Sequence, residues 1–311
     1  TYPTQWLQDE NGKVYYGSTD PKMKEALTVL RDWYKKGLID KQFPTRIGSG
    51  ETPAVWSSGQ AGAHFGGWTS VYADLLANVP DSDAVAVAAP FDQKGEFTYL
   101  TPSPVNQMMV VNKDFKFPEA AIIALGANND MYRGTFDPAK EPIMKKYADI
   151  MNKYIANNEI DTFGARTINI LGNLTFDYYG IVPQLHEAVK SFVETGKYDE
   201  YSGMTDYDKS QCEISKKYAD GPKDSVGYWA YYARYVGGRD LKVGKPVFAS
   251  YYYNTESSAE IKPTLDKLED QMYLQIILGE KPVEYFDEFV KQWKELGGDT
   301  LTQEVEAELA K

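Results

Sequence analysis

The sequence predicts a mixed α/β, helix-rich fold, and three observations carry that reading. Apolar residues recur at helical spacing in long stretches: Ala26, Leu27, Leu30, Trp33 and Tyr34 near the start, Ile261, Leu265, Leu268, Met272 and Ile276 near the end. Short apolar runs, such as residues 84–89, are too brief for helices and read as buried strands. Glycines stand where the helical periodicity stops, at Gly37, Gly279, Gly297 and Gly298, as helix C-termini favour.

Taken in order, residues 9–18 read as a hairpin with Asn11 and Gly12 as a two-residue turn before the strand-like Val14, Tyr15 and Tyr16. Thr19 or Asp20 can cap the first helix, and Pro21 is tolerated in its first turn. A second helical stretch ends near Gly59. Residues 61–65 read as a short buried strand running into a Gly66–Gly67 turn, where the missing side chains permit close backbone approach. Residues 69–76 look helical, and 97–100 and 107–111 are strand candidates. Pro118 opens a helix over 119–125, and helices are expected at 142–156 and 183–195. Residues 199–224 are polar and read as loop-rich, and 227–232 are a dense aromatic cluster. Three helices close the chain, over 257–278, 283–296 and 302–309, the last begun by Thr302.

With 311 residues the chain can form one large or two medium domains, and its 42% hydrophobic and 25% charged residues suit a folded domain rather than a disordered one. No stretch approaches the roughly 20 uninterrupted apolar residues of a membrane span. The net charge of -12 argues against nucleic acid, whose phosphates need clustered Lys and Arg, and against an anionic membrane surface. It fits a neutral or cationic ligand, and equally a surface charged for solubility. A single cysteine, Cys212, excludes an intrachain disulfide and a cysteine-based zinc site, and two histidines, His64 and His186, exclude a histidine-rich metal centre. No metal and no cofactor is expected. Thr1 to Thr4 carry no signal-peptide pattern, so either the protein is cytosolic or an export segment lies upstream, and composition does not choose between the two. The 24 tyrosines exceed what a core accommodates, since each buried hydroxyl needs a partner; they suit the faces of sugars or other flat ligands, or an amphipathic surface.

The order of several short motifs resembles a known family. Gly59, Gln60, Ala61, Gly62 and Ala63 running to Gly66, Gly67 and Trp68 resemble a segment of the family 1 extracellular solute-binding proteins of ABC importers, which include the maltose-binding proteins. The helix exit Lys36-Gly37-Leu38-Ile39-Asp40, the run Val87 to Phe91, and Val111-Asn112-Lys113 followed by Pro118-Glu119-Ala120-Ala121 are similar to that family in the same order. The tail is the most specific piece. Ile276 to Pro282, Phe286 to Val290, Trp293, Leu296 to Asp299 and Thr302 to Val305 resemble its large lipoprotein branch from Gram-positive bacteria. Residues 131–245 carry least of the likeness.

The resemblance implies a periplasmic-binding-protein-like (type II) two-lobe α/β fold that closes on its solute by hinge motion. Residues 1–84 would begin the C-terminal lobe, 85–130 return to the N-terminal lobe, and 131–311 complete the C-terminal lobe with a helical extension. The first part of the N-terminal lobe, a signal peptide and a lipidated cysteine would lie upstream, anchoring the protein at the outside of the cell. The expected partners are a small-molecule solute, with an oligosaccharide first, and the ABC permease subunits. The protein itself is expected to be a monomer.

In that family the residue matching Trp68 stacks on a sugar ring, which is chemically reasonable because the C–H face of a sugar packs on a flat indole; Trp68 could equally be a core residue. Tyr72, one helical turn on, would project on the same side. Asp177, Tyr178 and Tyr179 could form a second wall. Trp229 and Tyr232 share a helix face, and Tyr251 and Tyr252 precede the long helix in a stretch that feeds the cleft of similar proteins. Each of these sets also has a plain reading as core or surface.

Enzyme readings find little support. No nucleophile elbow, zinc-protease motif or phosphate loop is present, and pairs of carboxylates carry no signal among 45 acidic residues. His186 lies on an amphipathic helix and reads as solvated. His64 reads as a buried, satisfied histidine, and Cys212 has no obvious activating partner. No catalytic residue is assigned. The alternatives are a secreted carbohydrate-active enzyme or its accessory domain, and a peptide or lipid-headgroup binder on the same fold.

Overall fold

The computed structural model describes residues 2–46, 52–67, 94–103, 108–133, 181–221, 231–238 and 244–311, with isolated positions between these stretches. They form a mixed α/β, helix-rich protein with small sheets. In chain order the elements are β1 (Trp6–Gln8), β2 (Val14–Tyr16), α1 (Met23–Lys35), α2 (Phe43–Arg46), α3 (Thr52–Ser57), β3 (Thr98–Thr101), α4 (Pro118–Arg133), α5 (Ile181–Thr195), α6 (Asp206–Tyr218), β4 (Lys245–Phe248), α7 (Ser258–Ile277), α8 (Tyr285–Trp293) and α9 (Asp299–Leu309). The chain divides into two compact units. The first comprises Thr1–Thr52, Gln93–Pro104 and Gly244–Lys311, and the second Pro53–Asp92 and Val105–Val243.

The first unit opens on the expected hairpin, β1 paired antiparallel to β2 with Trp6 opposite Tyr16. Its loop is longer than the two residues Asn11 and Gly12 suggested. Asp9 is the reason: its Oδ1 accepts the backbone N–H groups of Asn11 and Lys13, each at 2.9 Å, and so shapes the turn from its first residue. Helix α1 ends as its sequence indicates. Gly37 takes φ 74°, Gly37 N–H donates to Tyr34 O, and Leu38 N–H donates to Trp33 O at 2.9 Å, the paired bonds of a Schellman cap.

Strands β3 and β4 pair in parallel. Beyond β4 the chain returns to the hairpin, where Ser250 N–H donates to Trp6 O at 2.8 Å and Tyr251 bridges Trp6. Helices α1, α7 and α8 then bury Leu27, Met272, Ile276, Phe286 and Phe289 in one core. Each such side chain contributes about 1.5–3 kcal/mol relative to exposure. Helix α9 starts at Asp299, before the expected Thr302, whose hydroxyl donates back to Gly298 O at 2.8 Å and so lies inside the first turns. Gly297 makes that junction possible. Its φ of 113° suits glycine, and a Cβ there would come within 2.8 Å of Ile261.

In the second unit α3 ends at Gly59 with the same pair of capping bonds, Gly59 N–H to Trp56 O and Gln60 N–H to Val55 O. Residues 61–67 are not a buried strand. They are irregular, with Phe65 85% exposed, because alanine and glycine offer too little apolar area to hold the segment inside. Residues 108–112 are likewise irregular rather than a strand, with Val110 89% exposed. Helix α4 runs on to Arg133, well past the expected end.

Helices α5 and α6 pack through Ala188, Val189 and Cys212. Helix α6 lies where loops were expected, over 199–224. Its start is a capping box: Thr205 Oγ1 accepts Asp208 N–H at 3.3 Å, and Asp208 Oδ2 accepts Thr205 N–H at 2.8 Å. The expected helices at 69–76 and 142–156 and the strand at 84–89 lie wholly or largely outside the described residues.

Within the first unit the pairing of β3 with β4 joins residues 98–101 to the last quarter of the chain.

Candidate functional site

The hairpin, the 251–254 segment and helices α7 and α8 line a cavity of about 360 Å³ in the first unit. Its aromatic wall follows from strand register. Trp6 and Tyr16 sit opposite each other across the hairpin with ring centroids 5.0 Å apart, an aromatic cross-strand pair. Trp293, at the end of α8, stacks on Tyr16 at 5.2 Å and 11°, and lies 6.2 Å from Trp6.

Burial sorts the lining into floor and rim. Trp293 is 3% exposed, and Tyr16, Leu265 and Leu301 are buried with it. Asn254, Tyr253 and Lys262 are exposed. Lys262 Nζ pairs with Asp266 Oδ1 at 2.6 Å one helical turn along α7, so the rim carries one charge of each sign. Tyr251 packs edge-on to Tyr253 at 5.8 Å. The Tyr252 hydroxyl accepts Ala249 N–H at 3.0 Å and donates to Thr101 O at 3.1 Å, which commits it to holding the 249–252 segment on β3.

A buried chain of hydrogen bonds supports the wall from behind. Thr4, at φ 63°, donates its N–H to Ser18 Oγ at 2.6 Å, and the Ser18 hydroxyl donates to Glu269 Oε1 at 2.6 Å. Ser18 and Glu269 are both buried. Burial pushes the Glu269 pKa above its ordinary value, opposed chiefly by the Ser18 and Tyr273 hydroxyls, with Asp266 adding to the rise and Lys262 to the opposition. The chain ties Thr4 and Gln5, both on the cavity wall, to helix α7.

Of the residues singled out in the sequence, Tyr251 and Tyr252 line this cavity together. Tyr232 is buried in the second unit, packed on Tyr228 at 5.8 Å in a cluster with Leu75. Trp68, Tyr72, Asp177, Tyr178, Tyr179 and Trp229 lie outside the described residues. Trp6, Tyr16 and Trp293 were not read as site residues. Trp293 was legible only as an apolar helix position, and Trp6 had no local signal, since its place depends on pairing with Tyr16 and Tyr251.

His186 is not solvated; it is 1% exposed. Burial, with Arg234 adding, holds its imidazole down to about 4, and a Cβ on Gly238 would come within 1.8 Å of the ring. His64 is half-buried against Trp56 at 4.5 Å. Cys212 is fully buried, and burial followed by Asp208 pushes its thiol up to about 12, far from a thiolate at neutral pH. Among the described residues no cluster of three or more His, Cys, Asp or Glu could hold a metal ion. No family model, no curated protein and no solved structure matches the chain.

Proposed function

We propose that the chain is the solute-binding component of an ABC importer, capturing a carbohydrate without turning it over and passing it to the membrane permease. The observation that carries this reading is the aromatic-walled cavity with a mixed polar rim, lined by Trp6, Tyr16, Trp293 and Tyr251. Flat rings beside amide, ammonium and carboxylate groups suit reversible capture of a polyhydroxylated ring: C–H faces stack while the rim exchanges hydrogen bonds. The order of motifs from Lys36 to Val305 supports the same reading, and with it a periplasmic-binding-protein-like two-lobe fold. On this reading the protein works outside the cell, anchored through a lipidated cysteine upstream, as a monomer.

The test is a thermal-shift screen of the chain against mono- and oligosaccharides, with chromatography of the sugars afterwards. Ligand at a hundred times its Kd stabilises by about 2.7 kcal/mol, so a binder raises Tm clearly. The expected outcome is a selective shift with the sugar recovered unchanged. Hydrolysed or transferred sugar would replace this reading with a secreted carbohydrate-active enzyme. Shifts with peptides or lipid headgroups, and with no sugar, would move the ligand class.

A further inference from the structure

We propose that the Lys262–Asp266 pair on the rim of this cavity determines its specificity: it holds two neighbouring hydroxyls of a neutral sugar and disfavours sugars with a net charge of either sign. The sugar part rests on the solute-capture reading; the selection rests on the charges of the lining.

Helical spacing builds the pair. Lys262 and Asp266 stand four residues apart in α7, so their side chains meet on one face, with Nζ 2.6 Å from Oδ1. Both residues line the cavity, and each side chain is 48% exposed, so a solute can reach them. No other described lining residue carries a formal charge; the rest are aromatic, aliphatic or neutral polar groups such as Gln5 and Asn254. Glu269 is buried behind the wall and does not line the cavity. The lining charges therefore cancel, with both signs held at one spot.

The pair leaves hydrogen-bonding capacity unused. The Lys262 ammonium has three N–H donors and donates to Asp266 Oδ1 alone among the described residues. Asp266 Oδ2 accepts from no described residue. Donors and an acceptor side by side match hydroxyls on adjacent ring carbons. One hydroxyl accepts from the ammonium, its neighbour donates to the carboxylate, and the ion pair stays closed. Both bonds are charge-assisted, the stronger kind.

A ligand with a net charge fares worse. A carboxylate that approaches Lys262 also approaches Asp266, and an ammonium that approaches Asp266 also approaches Lys262. Attraction and repulsion largely cancel, while the hydration lost beside the aromatic wall is not made up.

Isothermal titration calorimetry of the full chain tests this with two sets of probes, at about pH 6, where amines are protonated and uronates ionised. One set is glucose, glucuronate and glucosamine; the other is galactose, galacturonate and galactosamine. Glycine betaine is added as a zwitterion. In at least one set the neutral sugar should bind about tenfold or more tightly than both charged analogues. The variants supply the decisive readout. Lys262→Gln leaves one negative charge in the lining and should move selectivity about tenfold towards the amino sugar. Asp266→Asn leaves one positive charge and should move it as far towards the uronate. Both should weaken neutral-sugar binding. An exposed pair contributes little to stability, so the urea midpoint should stay in place.

Charged analogues that bind the parent chain as tightly as the neutral sugar would overturn the pair's role and leave solute capture standing. So would variants that weaken all three members of a set alike, since a structural role predicts no swing of opposite sign. Glycine betaine bound in preference to every sugar would show the pair opening around a zwitterion, and would overturn the proposal together with the sugar reading. Binding of no probe would overturn the proposal, and the wider thermal-shift panel would then decide solute capture separately.

Discussion

The two units differ in how their buried apolar residues are gathered. In the first, Leu27, Met272, Ile276, Phe286 and Phe289 disappear into one core, and Trp6, Tyr16 and Trp293 meet ring to ring beside it. In the second, the described residues form smaller clusters, around Tyr228 and Tyr232 and around Ala188 and Cys212, while Phe65, Met108, Val110, Ile122 and Ile123 stand exposed. The difference teaches where a stacking site can be built. Rings that must hold a ligand face within a fraction of an ångström need neighbours that fix their own rotamers. The hairpin register, the α8 terminus and the Thr4–Ser18–Glu269 chain provide those neighbours in the first unit.

The sharpest way to break this comparison is to hollow the first core. Phe289, fully buried between α7 and α8, becomes a cavity in Phe289→Ala, and such truncations cost about 3–5 kcal/mol. Urea unfolding followed by circular dichroism should show the midpoint falling sharply. A loss no larger than that of an exposed position would mean that the first unit's core does not hold as described.

The next largest effect should come from Glu269→Gln. The carboxyl of Glu269 accepts from Ser18, with Tyr273, Asp266 and Lys262 also acting on it, and burial raises its folded pKa. The folded state therefore holds the proton more tightly than the unfolded chain does. The parent protein loses stability as pH rises from the ordinary carboxylate range through the folded pKa, and below that range the two states differ little. Gln can still accept from Ser18 and carries no charge to desolvate. The variant should be more stable than the parent at neutral pH, with the gap closing towards pH 4. A gap that grows on acidification would reverse the sign and remove the argument.

How far these features were legible in the sequence follows the range of the interactions behind them. Helices α1, α7 and α8 and their glycine stops were legible, because helical periodicity and a C-terminal glycine are local. The hairpin was located correctly but its loop was misjudged, since Asp9 outweighs Asn11 and Gly12 through two side-chain bonds. The strands expected at 61–65 and 107–111 failed because short apolar runs say nothing about whether a partner strand exists. The cavity was half legible. Tyr251 and Tyr252 were singled out, whereas Trp6 and Trp293 meet across most of the chain's length, a pairing no local pattern encodes.

Helix α6 sharpens the comparison from within the second unit, because it was legible in Thr205 and Asp208 and was missed among polar neighbours. If the capping box nucleates it, Thr205→Ala removes the acceptor for Asp208 N–H and should cost about 1 kcal/mol. Hydrogen exchange should localise that loss to the first turn of α6. Exchange unchanged there would mean that packing on α5 alone sets the helix start.

The smallest effect is expected at Val110. A serine there removes apolar area that already faces water, so stability should move by no more than about 0.5 kcal/mol, against several for Phe289→Ala. The contrast has a direction that solubility can also read. An exposed valine contributes apolar surface, as the exposed Met108 and Phe117 do, so Val110→Ser should raise the concentration at which the protein associates, measured by light scattering, while leaving the urea midpoint in place. A destabilisation of the size seen in the first core would show that Val110 is covered in solution and that the second unit closes its apolar face after all.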